Sequence, residues 1–245
     1  MPAKSDIGGF YKSESYDSHR LDNLSVISRL YRLVRKINLK LKVGWLRRYV
    51  KSGTVVDYGC GLGHFVLALK DAGYVASGYE IDDDTRALAK EALNLNLHPL
   101  ESFLQHEMNS IDAITMWHVL EHIYDLNADF SEIVKRLRAG GVIMIAVPNF
   151  RSWDAVKYGS AWEAYDVPRH LYHFDSNRLI SFVEDFGLEH CQTIPLKFDS
   201  FYVSMRSEKN LEMGSVIRGV WNGLVSNLKA SKHGYSSHVF VFRKL

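Results

Sequence analysis

Two short stretches concentrate the side chains that move protons. "WHVLEHI" supplies His118, Glu121 and His122 within five residues, and "DVPRHLYHF" adds His170, Tyr172 and His173 in a loop before a late helix. An imidazole titrating near ~6.5 is suited to taking a hydroxyl proton at neutral pH. If a helix opens at His118, then His118, Glu121 and His122 stand at i, i+3 and i+4 and share a face. His122 and His170 are the preferred bases, followed by His118 and Glu121. The plainer use of such histidines is to hydrogen-bond loops to a sheet.

A third stretch, "TVVDYGCGLGHF", places Gly59, Gly61 and Gly63 just after Asp57, at the end of a short apolar run. A strand, a glycine turn and a helix present backbone N–H groups and a positive dipole end to a ligand, and glycine removes the side chains that would obstruct it. The dinucleotide fingerprint wants its third glycine three residues after the second. Here that position is His64. Asp57 would also set negative charge beside a pyrophosphate. The loop therefore suits a ligand that is neutral or cationic nearby. Glu80, at the end of the next apolar run, is placed to accept hydrogen bonds from two vicinal ribose hydroxyls.

A ribose-bearing ligand with a positive centre and no phosphate fits S-adenosylmethionine. "VVDYGCGLGHF", "GYEID" and "AITMWHVLEHI" together resemble class I S-adenosylmethionine-dependent methyltransferases, nearest the small-molecule branch that includes ubiquinone-biosynthesis enzymes. The resemblance covers roughly residues 50–190. It implies that Asp57, Gly59, Gly61 and Gly63 cradle the methionine half of the cofactor. Glu80 would hold the ribose, Ile81 pack on adenine, and Trp117 lie near the methionyl end. Cys60, inside the loop, is counted with these residues as packing, without redox chemistry. In quinone-type relatives a Glu-x-x-Glu-His segment can hold a divalent metal. Here His118 replaces the first glutamate, and no metal is assigned.

The elements that must position these groups alternate along the chain. Residues 24–50 read as a helix in which Ile27, Leu30, Tyr31, Val34, Ile37, Leu41 and Trp45 share one face, with Arg29, Arg32, Lys36, Lys40 and Arg47 opposite. Strands follow at 54–57 and 75–80, a weaker one at 96–100, then "IDAITMW" and "VIMIAV", with helices between them. The expected fold is α/β, a doubly wound Rossmann-like sheet. The resemblance implies seven strands in the order 3-2-1-4-5-7-6, the last antiparallel. Residues 1–50 form an N-terminal lid segment and basic helix, and residues 51–245 the methyltransferase domain. An insertion at about 200–235 carries Met213, Ile217, Val220, Trp221, Leu224 and Leu228 at helical spacing. It caps the substrate pocket or forms a dimer surface; core packing explains it nearly as well.

Composition bounds the rest. The chain has 245 residues, 47% of them hydrophobic, and a net charge of +2. No run approaches the ~18 apolar residues of a membrane span, and the polar start gives no expectation of a secretory signal. Cys60 and Cys191 have no metal-ligand spacing, so a reducing cytoplasm is expected. Between Arg20 and Lys51 stand ten Lys or Arg against the single Asp22. That face could meet RNA phosphates or an anionic membrane, but a solvated helix side is preferred and nucleic acid is not the expected partner. Tyr11, Tyr16 and His19 either close the site or belong to a frayed tail. The leading expectation is methyl transfer from S-adenosylmethionine to a small-molecule acceptor, most readily at oxygen, by a monomer or homodimer. A macromolecule methyltransferase and a cofactor-binding module without turnover are the competing classes.

Overall fold

The computed structural model describes residues 26–245. The expected lid residues Tyr11, Tyr16 and His19 lie outside the described residues. Seven strands, β1 (Thr54–Tyr58), β2 (Val75–Glu80), β3 (His98–Pro99), β4 (Ile111–Trp117), β5 (Leu137–Pro148), β6 (Leu188–Pro195) and β7 (Ser237–Lys244), form one sheet in the order β3-β2-β1-β4-β5-β7-β6. β1 runs parallel to β2 and β4, and β7 runs antiparallel to β6. This is the expected order. The chain divides into two compact units: residues up to Thr115 with Glu132–Val142, and Met116–Ser131 with Ile143–Leu245.

In the first unit, α1 (Val26–Arg47) precedes β1, α2 (His64–Asp71) follows the glycine loop, and α3 (Asp83–Leu93) follows β2. β1 and α2 bury Val55, Val56, Phe65, Val66 and Leu69, the apolar positions that both patterns set inward. Asp82 caps α3, its carboxylate accepting from Thr85 N–H at 2.9 Å, while Asp83 and Asp84 sit at the positive end of the helix dipole. The weak third strand shrinks to His98–Pro99. Pro99 has no N–H to extend the ladder, and Leu100–Gln105 coils into a 3₁₀ turn.

α1 departs from its periodicity. Ile37 and Leu41, on the expected packed face, are exposed, while Leu46 is fully buried. Arg35 is bonded to His64 Nε2 at 2.7 Å, and the Lys42 ammonium stands 6.0 Å over the Phe65 ring.

α4 (Leu126–Arg136) ends before the Gly140-Gly141 pair. Those glycines lie in the leading part of β5, where a Cβ on Gly141 would come 2.8 Å from the Arg138 carbonyl oxygen. In the second unit, β5 buries every residue from Val142 to Val147, as its β-branched run requires. α5 (Trp153–Tyr158) follows, then α6 (Ser176–Glu184), capped by Asp175 through Arg178 N–H at 2.9 Å. Between β6 and β7 stand α7 (Asp199–Lys209), α8 (Val216–Leu228) and α9 (Ala230–His233). The apolar stripe of α8 faces solvent, with Ile217 83% and Trp221 62% exposed, while Gly219, Asn222, Gly223 and Ser226 are buried. Core packing is therefore not the reason for that stripe.

Candidate active site

The turn after β1 carries Gly59, Gly61 and Gly63 at φ 72°, 52° and 76°, all left-handed. The N–H groups expected to face a ligand are instead tied to the end of β2. Gly59 and Cys60 donate to the Tyr79 carbonyl at 2.8 and 3.0 Å, and Gly61 donates to Glu80 Oε2 at 2.8 Å. What the loop leaves to a ligand is space. A Cβ on Gly61 would meet nothing within 4 Å, whereas one on Gly63 would strike Leu95. Gly61 is thus the open position and Gly63 a packing position.

Two carboxylates flank this loop. Glu80 accepts from Gly61 N–H and, at 3.1 Å, from Asp82 N–H. A carboxylate offers about four acceptor sites, so the group is aimed and still has capacity for two hydroxyls. Ile81 beside it is exposed. Asp57 is buried and accepts from Thr115 Oγ1 at 2.6 Å. Burial pushes its carboxyl up to about 7 against the opposing pull of Thr115 and Lys42, with Glu80 adding to the rise. Burial, then Asp57 and Glu80, push the Cys60 thiol far above its ordinary range, so it stays protonated. A Cβ at Gly78 would come 2.7 Å from its sulfur, so the thiol packs on bare backbone. The residues fit a cationic nucleoside: aimed acceptors for a ribose, an open glycine, and a buried acid whose ionised form needs a cation. No sequence signal marks Arg35 and Lys42 as neighbours of this loop, because they sit among ordinary basic positions of α1.

In the second unit the proton-handling residues follow the end of β4. No helix opens at His118. The chain passes through His118 at φ 57°, then a single 3₁₀ turn, Leu120–His122. The left-handed residue is held by its own N–H, which donates to the Ala146 carbonyl at 3.0 Å. This break in the backbone still brings His118 Nδ1 to 3.4 Å from Glu121 Oε1, a distance for charge attraction rather than a hydrogen bond. Neither oxygen of the buried Glu121 side chain accepts a hydrogen bond among the described residues. On the other side, His118 Nε2 meets Asp199 Oδ2 at 3.1 Å. Burial alone would lower the His118 pKa, but Asp199 and Glu121 outweigh it and raise it to about 10. The ring keeps 37% of its side-chain surface in water, which also favours its cationic form. Burial likewise tends to protonate Glu121, and His118, His122 and His170 reverse that, holding its carboxyl below the ordinary range.

The loop at 166–173 is stitched to this turn by the Glu121 carbonyl, which accepts from Leu171 N–H at 2.8 Å. That bond sets the His170 ring 4.6 Å from the His122 ring. His122 Nδ1 donates to the Arg169 carbonyl at 3.0 Å and His170 Nδ1 to the Ala164 carbonyl at 2.9 Å. When either ring is neutral, its lone pair is therefore on Nε2. Burial lowers the His170 pKa, Glu121 opposing it and His122 reinforcing it, so His170 is neutral at pH 7. Glu121, His122 and His170 each bring a donor atom within 4.8 Å of the others. Two imidazoles anchored through their far nitrogens and one carboxylate suit a divalent transition metal as well as proton transfer. His173 is turned away to the Tyr165 carbonyl at 2.9 Å. A narrow crevice lined by Pro148, Phe150, Trp162 and Phe174 opens beside His170. Asp199 could not be anticipated, since nothing near His118 in sequence points to it.

The sheet order, the glycine turn and the acid ending β2 define the class I methyltransferase fold. A family model described as a methyltransferase domain matches residues 29–193, and the chain belongs to that family: it is an S-adenosylmethionine-dependent methyltransferase. It is similar to a ubiquinone biosynthesis O-methyltransferase of Idiomarina loihiensis, 21% identical over 203 residues, which span 76% of this chain and 83% of the relative. A second protein of that description, from Paramagnetospirillum magneticum, is 23% identical over 71% of this chain and 75% of its own length. Among solved structures, an S-adenosylmethionine-dependent methyltransferase from Archaeoglobus fulgidus superposes with a TM-score of 0.58 at 19% identity, over 86% of this chain and 94% of the other.

Proposed function

We propose that this enzyme methylates a hydroxyl oxygen of a small molecule, with His170 as the general base. When bound, S-adenosylmethionine supplies a methyl group on a sulfonium leaving group, and the chain has to align the acceptor and take its proton. The observation that carries the reading is the neutral His170 ring, pinned through Nδ1–H so that Nε2 holds the lone pair beside the ionised Glu121. His118, already cationic, has no lone pair to offer and instead keeps Glu121 charged. His122 is the second candidate base. Its donor atom stands within 4.8 Å of those of Glu121 and His170.

On the cofactor side, the reading gives Glu80 the ribose hydroxyls, Ile81 the adenine, and Trp117 the methionyl end. Asp57 with Gly59, Gly61 and Gly63 takes the methionine half, and Cys60 packs beneath the loop. Arg35 and Lys42 add the positive charge that an α-carboxylate calls for. Oxygen as acceptor is supported by the names of the Idiomarina and Paramagnetospirillum relatives.

The test is incubation with methyl-labelled S-adenosylmethionine and a panel of phenols, catechols, primary amines and activated carbon acids. O-methyl ethers should appear, and His170→Ala should lower kcat by roughly 10²–10⁴ while leaving the affinity for S-adenosylhomocysteine unchanged. Exclusive N- or C-methylation, or full turnover by His170→Ala, contradicts the reading.

A further inference from the structure

The helices between β6 and β7 are folded with their polarity inverted. α7 and α8 meet through small and polar residues: a Cβ on Gly219 would come 2.6 Å from Met205 Cα, and one on Gly223 2.7 Å from Phe201 Cα. Ser200, Ser204, Ser207, Asn222 and Ser226 are buried with them. Glu208, buried too, is satisfied by Tyr158, Ser215 N–H and Arg218. The outward side carries Ile217, Val220, Trp221, Leu224 and Leu228, of which Leu228 is 72% exposed. In water this arrangement forgoes the burial that ordinarily holds a surface helix in place. Backbones brought together at glycine and serine, with apolar side chains turned outward, are what helices do when lipid covers their outer face.

Charge names the occupant. Residues 197–232 hold six Lys or Arg against three Asp or Glu. Arg218 is paired with the buried Glu208, Arg206 with Glu163, and Asp199 with His118, which leaves Lys197, Lys209, Lys229 and Lys232 against Glu212. Asn227 Nδ2 donates to the Lys197 carbonyl at 2.9 Å, so Lys197, just before α7, meets the end of α8, where Lys229 and Lys232 follow. An isologous contact between two copies would gather the positive charge of both. An anionic bilayer neutralises it instead. No helix among the described residues is long and apolar enough to cross a membrane, and the 13 residues of α8 suit a helix lying in the headgroup plane.

We propose that α7 and α8 form a docking surface for an anionic lipid bilayer, with Ile217, Val220, Trp221, Leu224 and Leu228 inserted and Lys197, Lys229 and Lys232 on the headgroups. Sedimentation of the full chain with phosphatidylglycerol–phosphatidylcholine vesicles tests this against vesicles of phosphatidylcholine alone. The anionic vesicles should carry the protein down, with partitioning at least ~10-fold stronger than on neutral ones. Ile217→Ser combined with Trp221→Ser should cut that binding by ~10-fold or more. Lys229→Glu combined with Lys232→Glu should remove the preference for anionic lipid. All of these residues are exposed, so each variant should keep the wild-type melting temperature, which confirms that it folds. Protein that stays in the supernatant with both vesicle types overturns the proposal, as does a serine variant that binds like the wild type. So does a dimer, seen by sedimentation velocity, that the serine substitutions dissolve while vesicles bind nothing.

Discussion

Nε2 of His118 lies 3.1 Å from Oδ2 of Asp199, a residue 81 positions further along the chain. Through this contact the first residue of α7 holds a cationic ring in place on a left-handed backbone residue, and the ring in turn keeps Glu121 ionised. A strained residue kept by its surroundings at a reactive cluster is where backbone energy is commonly stored for function.

Asp199→Asn should release that arrangement. The His118 pKa in the folded protein is raised to about 10 from 6.5. The pair's stabilisation is therefore full below pH 6.5 and is lost as pH rises through about 10. Urea unfolding should show the variant less stable than wild type by about 1 kcal/mol at pH 6, a value already reduced for the partly exposed ring. The gap should close by pH 11. An equal gap at both pH values would show that His118 does not carry the charge.

Asp57 gives a pH dependence from the opposite chemical type. Its carboxyl is raised from 3.8 to about 7 by burial, so the native state binds a proton that the unfolded chain releases. The stabilisation from that neutral acid is full below pH 3.8 and is lost as pH climbs through 7. Asp57→Asn should flatten the fall in stability between about pH 4 and 7, measured without ligand. It should also weaken binding of S-adenosylhomocysteine most above pH 7, where the wild-type carboxylate is charged. A variant whose stability profile parallels the wild type contradicts the buried-acid account.

Zn²⁺ separates the two uses of the Glu121, His122 and His170 cluster. If His170 Nε2 serves as the base, a chelator leaves turnover intact. Added Zn²⁺ should then bind at about one ion per chain and inhibit, because it occupies the lone pair the reaction needs. Calorimetry should lose that binding in His170→Ala. Activity abolished by the chelator and restored by a divalent ion would instead make the cluster a metal centre.

The sheet order and the elements around Asp57, Gly61 and Glu80 were legible because each is a local pattern: an apolar run, a glycine turn, a helix start, an acid one crossover later. The failures have physical causes. His118, Glu121 and His122 keep spacings that a helix would exploit, yet one left-handed residue and a 3₁₀ turn bring them together. Spacing cannot reveal that the N–H groups of Gly59, Cys60 and Gly61 turn inward to β2. Periodicity located α8 correctly, but a 3.6-residue pattern says only that one face is apolar. Gly219 and Gly223 against α7 decide that this face looks outward. The Asp199 contact is tertiary, and no local signal encodes it.

We place S-adenosylmethionine at the turn after β1, open at Gly61 and flanked by Glu80. Thermal unfolding with S-adenosylhomocysteine at about 100 times its dissociation constant should raise the wild-type melting temperature by roughly 5–10 °C. Gly61→Val puts a side chain where nothing now stands within 4 Å; it should still unfold cooperatively and show no ligand shift. An equal shift in that variant, or an unmoved wild type, contradicts the account.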